Sequence, residues 1–270
     1  MASSSDSATA ARGFLPPQNE QERFLVRRVE ELCHMADQKG IPRYTGFLSD
    51  REQALALAAM NRAQCRFGEF RGGWPGAERR VLCLEPPDSW SEDPVAVLRL
   101  RAMAAAGDKA PGHRDYLGSI LALGLDRACL GDLLQDPDNP AVTYAFVLQD
   151  KTDFIASHLT DAGHCQVRAE FCDAVPDSVL RGPERTLREA TVPSLRADSV
   201  LAAMMHTSRT LAADAIRAGR VEINHVPLRS AHEDVFSGDI FTVRGSGRYR
   251  LEAIGGKSKK DRVFITFYQY

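Results

Sequence analysis

The sequence predicts an α+β fold of three small modules, and three observations lead there. Helical periodicity gives way to two strand-like runs within residues 18–90. Residues 93–175 alternate strand and helix patterns in the order β-α-β-β-α-β. Residues 194–270 open on two short apolar-faced helices, stop at a glycine and finish in short strands. The chain has 270 residues, 44% of them hydrophobic and 26% charged, enough for two or three buried cores.

Residues 1–17 lack the basic start and apolar centre of a secretory signal and read as a tail. In the first module, Leu25, Val29, Leu32 and Ala36 mark an amphipathic helix that ends near Gly40, with Pro42 just beyond. Ser49 and Glu52 form a capping box ahead of Leu55, Leu57 and Ala58, which starts a second helix. Two strand-like runs follow, Gln64–Phe70 and Arg79–Glu85, joined through Arg71-Gly-Gly-Trp-Pro-Gly76. Pro86-Pro87 closes this α/β unit.

In the second module, strands are expected at Val95–Leu100, Cys129–Leu134, Val142–Leu148 and His164–Phe171, with helices at Tyr116–Leu123 and Asp153–Leu159. That order predicts a ferredoxin-like split fold, the topology of RNA-recognition motifs. Tyr144 and Phe146 on the third strand offer rings for base stacking. The first strand supplies no matching aromatic, so packing is the favoured reading for both. Residues 176–193, with Pro176, Pro183 and Pro193 among charges, read as a linker.

In the third module, residues 199–206 carry apolar side chains at helical spacing, and Ser208 is placed to cap a second helix. Leu211, Ala212, Ala215 and Ile216 would form the buried face of that helix, and Gly219 its left-handed stop. Val221, Ile223 and Val226 then suit a strand and turn, with the reversal at Asn224-His225.

Charge singles out this end of the chain. The whole sequence is near neutral, at net −2, yet residues 194–270 hold 12 Lys/Arg against 8 Asp/Glu, leaving the first 193 residues at −6. Between Arg244 and Arg262 there are seven basic residues and two acidic ones. A basic end on an acidic body is expected where one module faces a polyanion; a solvated lysine loop is the alternative for Lys257, Lys259 and Lys260.

The spacing of Arg196-Ala-Asp198, Thr207-Ser-Arg-Thr210, Ile216-Arg-Ala-Gly-Arg220 and Val221-Glu-Ile-Asn224 resembles the S4 domain of the αL type, an RNA-binding module. The likeness extends further. His113-Arg-Asp-Tyr-Leu-Gly-Ser119, Leu123-Gly-Leu-Asp-Arg127, Leu130-Gly-Asp-Leu-Leu134 and Gly72-Gly-Trp-Pro-Gly-Ala-Glu-Arg-Arg80 resemble the bacterial YlmH-like S4-domain proteins, as do Arg244-Gly-Ser-Gly-Arg-Tyr249 and the basic Gly256–Arg262 turn. The resemblance covers residues 18–270. It implies a cytoplasmic, non-catalytic, monomeric protein that binds structured RNA, both rRNA and tRNA, on the large ribosomal subunit in quality control of stalled translation. A link to cell division is the weaker implication.

The residues expected at the RNA are Arg196, Ser208, Arg209, Thr210, Arg217, Arg220, Asn224, Arg244, Arg248, Lys257, Lys259 and Lys260. Arg209 leads, because a planar guanidinium at a helix N-terminus can grip a phosphate with two hydrogen bonds.

Neither cofactor nor metal is expected. Gly256-Lys-Ser258 lacks the first glycine and the strand-loop-helix setting of a phosphate loop. His164, Cys165 and Cys172 are too loosely spaced for zinc. The six cysteines (Cys33, Cys65, Cys83, Cys129, Cys165 and Cys172) include no Cys-x-x-Cys pair and read as reduced core residues. His113-Arg-Asp115 matches a kinase triplet by letters only; a helix cap with Asp115 holding Arg114 is favoured over an RNA or partner surface. An S4-domain RNA-modifying enzyme, of pseudouridine synthase or methyltransferase type, remains the alternative, although neither catalytic motif is present. Nor does any apolar run approach the ~20 residues that cross a bilayer.

Overall fold

The structure, a computed structural model, describes residues 17–103, 109–181 and 186–270. The expected tail at residues 1–16 and Pro183 lie outside the described residues. Helices and sheets are mixed throughout, as an α+β class requires. The described chain divides into two compact units, residues 17–181 and residues 186–270.

The first unit opens with α1 (Glu20–Lys39). Asn19 caps it by accepting from the Glu22 amide, and Gly40 ends it at φ +62°, its N–H reaching Ala36 O. Val26, Val29, Cys33 and Ala36 are its buried stripe. Strand β1 (Arg43–Leu48) follows. The capping box at Ser49 and Glu52 then starts α2 (Asp50–Arg62). Strands β2 (Gly68–Arg71) and β3 (Arg80–Leu84) complete an antiparallel sheet in the order β1-β3-β2. The sequence reading did not anticipate β1. Gly46 weakens its local strand signal, yet that position admits no Cβ, which would sit 2.7 Å from the Ala128 Cβ.

Next come β4 (Val95–Met103), α3 (His113–Ala122), β5 (Leu130–Gln135), β6 (Val142–Leu148), α4 (Thr152–His158), β7 (Asp161–Ala162) and β8 (Cys165–Phe171). Apart from the two-residue β7, each element was expected. The sheet runs β5-β6-β4-β8-β7 and is antiparallel at every pairing. Leu98, Leu100, Ala145, Val147, Val167 and Ala169 bury one face under Tyr116 and Ile120 of α3 and Ile155 of α4. The other face carries Val95 and Phe146 against Phe47, Val81 and Cys83. Tyr144 and Phe146 are both buried, so packing is their role. Residues 18–90 and 93–175 therefore share a core.

Polar contacts reinforce that joint. One carboxylate, Asp132 on β5, accepts from Trp74 Nε1 at 3.0 Å, the Glu78 amide at 2.8 Å and the Arg79 amide at 3.2 Å. Arg79 answers by donating to Leu130 O at 3.1 Å and Phe47 O at 2.7 Å.

The stretch expected as a linker, 176–193, is largely ordered into elements. The short helix α5 (Asp177–Leu180) packs Val179 against Val142 and Tyr144. Strand β9 (Arg188–Val192) lies at one edge of the second unit's sheet. Proline content misled there, because β9 finds its hydrogen bonds at the opposite end of the unit.

That unit continues with α6 (Ala197–Met204), α7 (Arg209–Arg217), β10 (Val221–Ile223), β11 (Val226–Pro227), β12 (Ile240–Val243), β13 (Gly247–Lys257) and β14 (Val263–Gln269). The sheet order is β11-β10-β12-β13-β14-β9. Val200, Leu201 and Met204 of α6 and Ala212, Ala215 and Ile216 of α7 pack on Phe241, Leu251, Ile265 and Phe267. Leu211 departs from expectation. It is 59% exposed, because the buried stripe of α7 is narrow and begins one residue later.

Replacing Asp132 with alanine would leave three donors of the 74–79 loop without their acceptor. The expected cost is about 2–4 kcal/mol, seen as a lower urea midpoint at unchanged slope. An unchanged midpoint would show that the carboxylate does not hold the joint.

Candidate RNA interface

The second unit's helix pair is organised around Asp198, whose side chain is only 7% exposed. It is the second residue of α6. Backbone bonds fix that helix start from below: Ala197 N donates to Glu233 O at 2.8 Å and Asp198 N to Ala231 O at 3.0 Å. Arg196, extended just before the helix, donates to Asp198 Oδ2 at 3.0 Å and also meets His232. Arg209, the first residue of α7, donates to the same Oδ2 at 2.8 Å. Ser208 caps α7 by accepting from the Leu211 amide at 3.2 Å.

One buried carboxylate thus draws together two guanidiniums that stand thirteen residues apart in sequence. Burial pushes the Asp198 carboxyl up, but the hydrogen bonds and charges of Arg196 and Arg209 outweigh it and hold it below the usual aspartate range. Two cations against one anion leave a net positive charge, and the Arg209 side chain keeps 48% of its surface open to solvent. Thr210 lies beside it on the exposed first turn. Such a pair of planar donors at a helix N-terminus is suited to a phosphate.

The other expected residues fall into separate groups. Arg217 is turned to Asp214 within α7, at 2.5 Å. Arg220 and Arg244 meet at two glycine turns, where the Arg244 amide donates to Arg220 O at 2.9 Å; both side chains are exposed. Arg248 lies over the Tyr270 ring, 4.9 Å from its centroid. Lys257 pairs with Asp261 at 2.7 Å, and Lys259 and Lys260 stand exposed in the same turn. Arg209 is thus grouped with Arg196 and stands apart from Arg217 in its contacts.

Asn224 does different work from that expected. It is buried, donates to Asp239 Oδ1 at 2.8 Å and accepts from the Ile240 amide at 2.9 Å. With His225 it takes positive φ, +49° and +67°, which makes the tight reversal between β10 and β11. Both ends of its amide brace that turn.

Sequence reasoning missed two residues that shape this unit. Asp198 was noted only as part of a motif; its signal was an acidic residue inside an otherwise apolar helix face. Arg262 donates to Thr191 Oγ1 at 3.0 Å and clamps β14 to β9. In the first unit, Asp115 caps α3 as expected, accepting from the Gly112 amide at 2.8 Å. Among the described residues no three His, Cys, Asp or Glu side chains stand together as a metal site. None of the described helices is long and apolar enough to cross a membrane.

Comparison with known proteins adds three findings. A family model described as "Putative RNA-binding domain in YlmH" matches residues 110–174. The chain is 31% identical over 248 residues to "Ribosome-associated protein quality control protein P2" of Bacillus subtilis (strain 168), covering 91% of this chain and 94% of that protein. The solved "Cell division protein ylmH from Streptococcus pneumoniae" is similar at 15% identity and a TM-score of 0.48, over 59% of this chain and 96% of that one.

The depressed Asp198 carboxyl has a pH consequence. Its folded value lies below its unfolded one, so it adds stability above the ordinary aspartate pKa of about 3.9, and that contribution is lost as pH falls through the lower folded value. Against Asp198→Asn, the wild type should show a constant stability advantage near neutrality that shrinks below about pH 4. Urea titrations across that range test it; an advantage that persists unchanged into strong acid would contradict the pairing.

Proposed function

This chain belongs to the YlmH-like RNA-binding family, and on that premise we propose that it is a non-catalytic RNA-binding protein of the ribosome, acting in quality control of stalled translation. The observation that carries the reading is the likeness to a ribosome-associated quality control protein along 91% of the chain. A match confined to one module would not have carried it.

Residues 194–270 act in this reading as an S4 domain, with Arg196 and Arg209 as the phosphate grip. The pairing of both guanidiniums on Asp198 supports it, because their forks are pre-oriented before RNA arrives. Arg220 and Arg244 at their adjoining turns, and Lys259 and Lys260 at the tip of the β13–β14 ribbon, extend the contact. Residues 93–175 form a ferredoxin-like domain; the antiparallel order β5-β6-β4-β8 supports that assignment. The partner is structured rRNA and tRNA on the large subunit, and the protein acts as a monomer. Recognition by phosphate and 2′-hydroxyl contacts would favour RNA shape over base identity.

Two measurements test this. The protein should co-sediment with large ribosomal particles at low salt and leave them as salt rises; a position wholly in the free fraction at low salt, with stalled ribosomes present, would overturn it. Arg209→Ala should weaken binding to ribosomal RNA by about 1–3 kcal/mol and lower the salt slope by about one contact. Arg209→Lys should restore only part of the affinity, since an ammonium lacks the planar fork. Unchanged salt slopes in both variants would remove Arg209 from the site.

A further inference from the structure

The five-stranded sheet of the first unit has a face turned away from α3 and α4, and one corner of it is basic. On β4, Leu98, Leu100 and Ala102 point into the core, so Arg99, Arg101 and Met103 occupy the opposite face. On β8, Val167 and Ala169 point into the core, so Gln166, Arg168 and Glu170 share that face. Val175 and Val179 cover the Tyr144 end of it. The corner with the arginines stays open: Arg168 is 71% exposed, and Arg101 and Met103 are exposed as well.

The cross-strand register places Arg99 opposite Glu170 and Arg101 opposite Arg168. The first pairing is complementary, with an ion pair at 2.7 Å. The second sets like charges directly opposite on one face, which destabilises a sheet. Glu170 also forms an ion pair with Arg168 at 2.8 Å. One carboxylate therefore serves two guanidiniums, while the Arg101 side chain has no hydrogen bond or ion pair among the described residues. Asp161, opposite Gln166 on this face, accepts from the Thr160 hydroxyl at 2.8 Å. A like-charge pair held side by side on an exposed corner is suited to an anion from outside.

We propose that Arg99, Arg101 and Arg168 form a second RNA contact, which holds the phosphate backbone of a single-stranded segment across the open corner of the sheet. The proposal rests on the RNA-binding reading above and adds a site to it. A sheet surface suits an extended strand better than a duplex, whose groove needs a helix, ribbon or loop to enter it. Tyr144 is buried, which removes base stacking on that ring and leaves a grip that tolerates any sequence. The three arginines span only two adjacent strands, so the footprint is two or three phosphates.

The test uses the full-length protein and two fluorescein-labelled probes, a blunt RNA hairpin and the same hairpin with a single-stranded tail of about ten nucleotides. In the wild type the tail should tighten binding about tenfold. The double variant Arg101→Gln/Arg168→Gln should lose that gain, with a salt slope for the tailed probe reduced by about 1.4, the single-strand value for two phosphates. Its binding of the blunt hairpin should be unchanged. Its melting temperature should stay near that of the wild type, because relief of the like-charge pair offsets loss of the exposed Arg168–Glu170 ion pair. A tail that adds nothing in the wild type, or a gain that survives in the variant, would overturn the second site while leaving hairpin binding in place. Tighter binding of labelled polyglutamate than of the tailed probe would overturn it in favour of an acidic protein partner. Failure of the wild type to bind either probe would defeat the RNA reading itself.

Discussion

The first unit depends on a reciprocal lock between Asp132 and the loop that ends at Arg79. The carboxylate gathers three N–H groups from residues 74–79, while the Arg79 guanidinium returns to the carbonyls of Leu130 and Phe47. Burial lowers the pKa of Arg79, and the nearby charges of Glu52 and Asp132 work against that shift. Glycines make the approach close enough. A Cβ at Gly131 would fall 2.5 Å from the Phe47 ring, and one at Gly73 would fall 2.5 Å from the Phe146 ring. Two small sheets that would each be marginal alone thereby share one apolar core.

In the second unit, Asp198 performs a comparable task with opposite consequences for charge. Asp132 neutralises backbone donors and hides them. Asp198 is hidden itself, and the two arginines it draws together keep part of their surface in water. A buried acid therefore serves to aim positive charge outward. Asn224 shows the limit of reading function from a motif. An amide beside three expected contact residues proves to be a brace for the turn on which β10 and β11 reverse.

Much of this was legible in the sequence because the signals were local. Gly40, the Ser49–Glu52 box, Ser208 and Gly219 are punctuation marks whose chemistry acts within four residues, and each occupies its expected position. Strand β6 matches its expected limits because its run of apolar residues is bounded by turns on both sides. What escaped was long-range. Strand β9 has little apolar pattern and exists through its pairing with β14 near the chain's end. Strand β1 carries a glycine required by Ala128, far along the sequence. The pairing of Arg196 with Arg209 depends on an acid whose second partner lies eleven residues away, on the next helix. Arg99 and Arg101, alternating with Leu98 and Leu100, did carry a local period-two signal. It marked them as solvent-facing, but their like-charged neighbour on β8 emerges only from the register.

The position of β4 bears on what counts as a separable piece of this protein. It is the central strand, hydrogen-bonded to β6 on one side and β8 on the other, and it precedes residue 110. A fragment confined to residues 110–174 would keep both helices and most of the core-facing side chains yet lack the strand that joins its two halves. Two complementary raw edges would then lie across an empty slot, each able to accept a strand from another copy. Trimming to the boundary of sequence likeness would so convert a self-contained sheet into one that completes itself by exchange between chains.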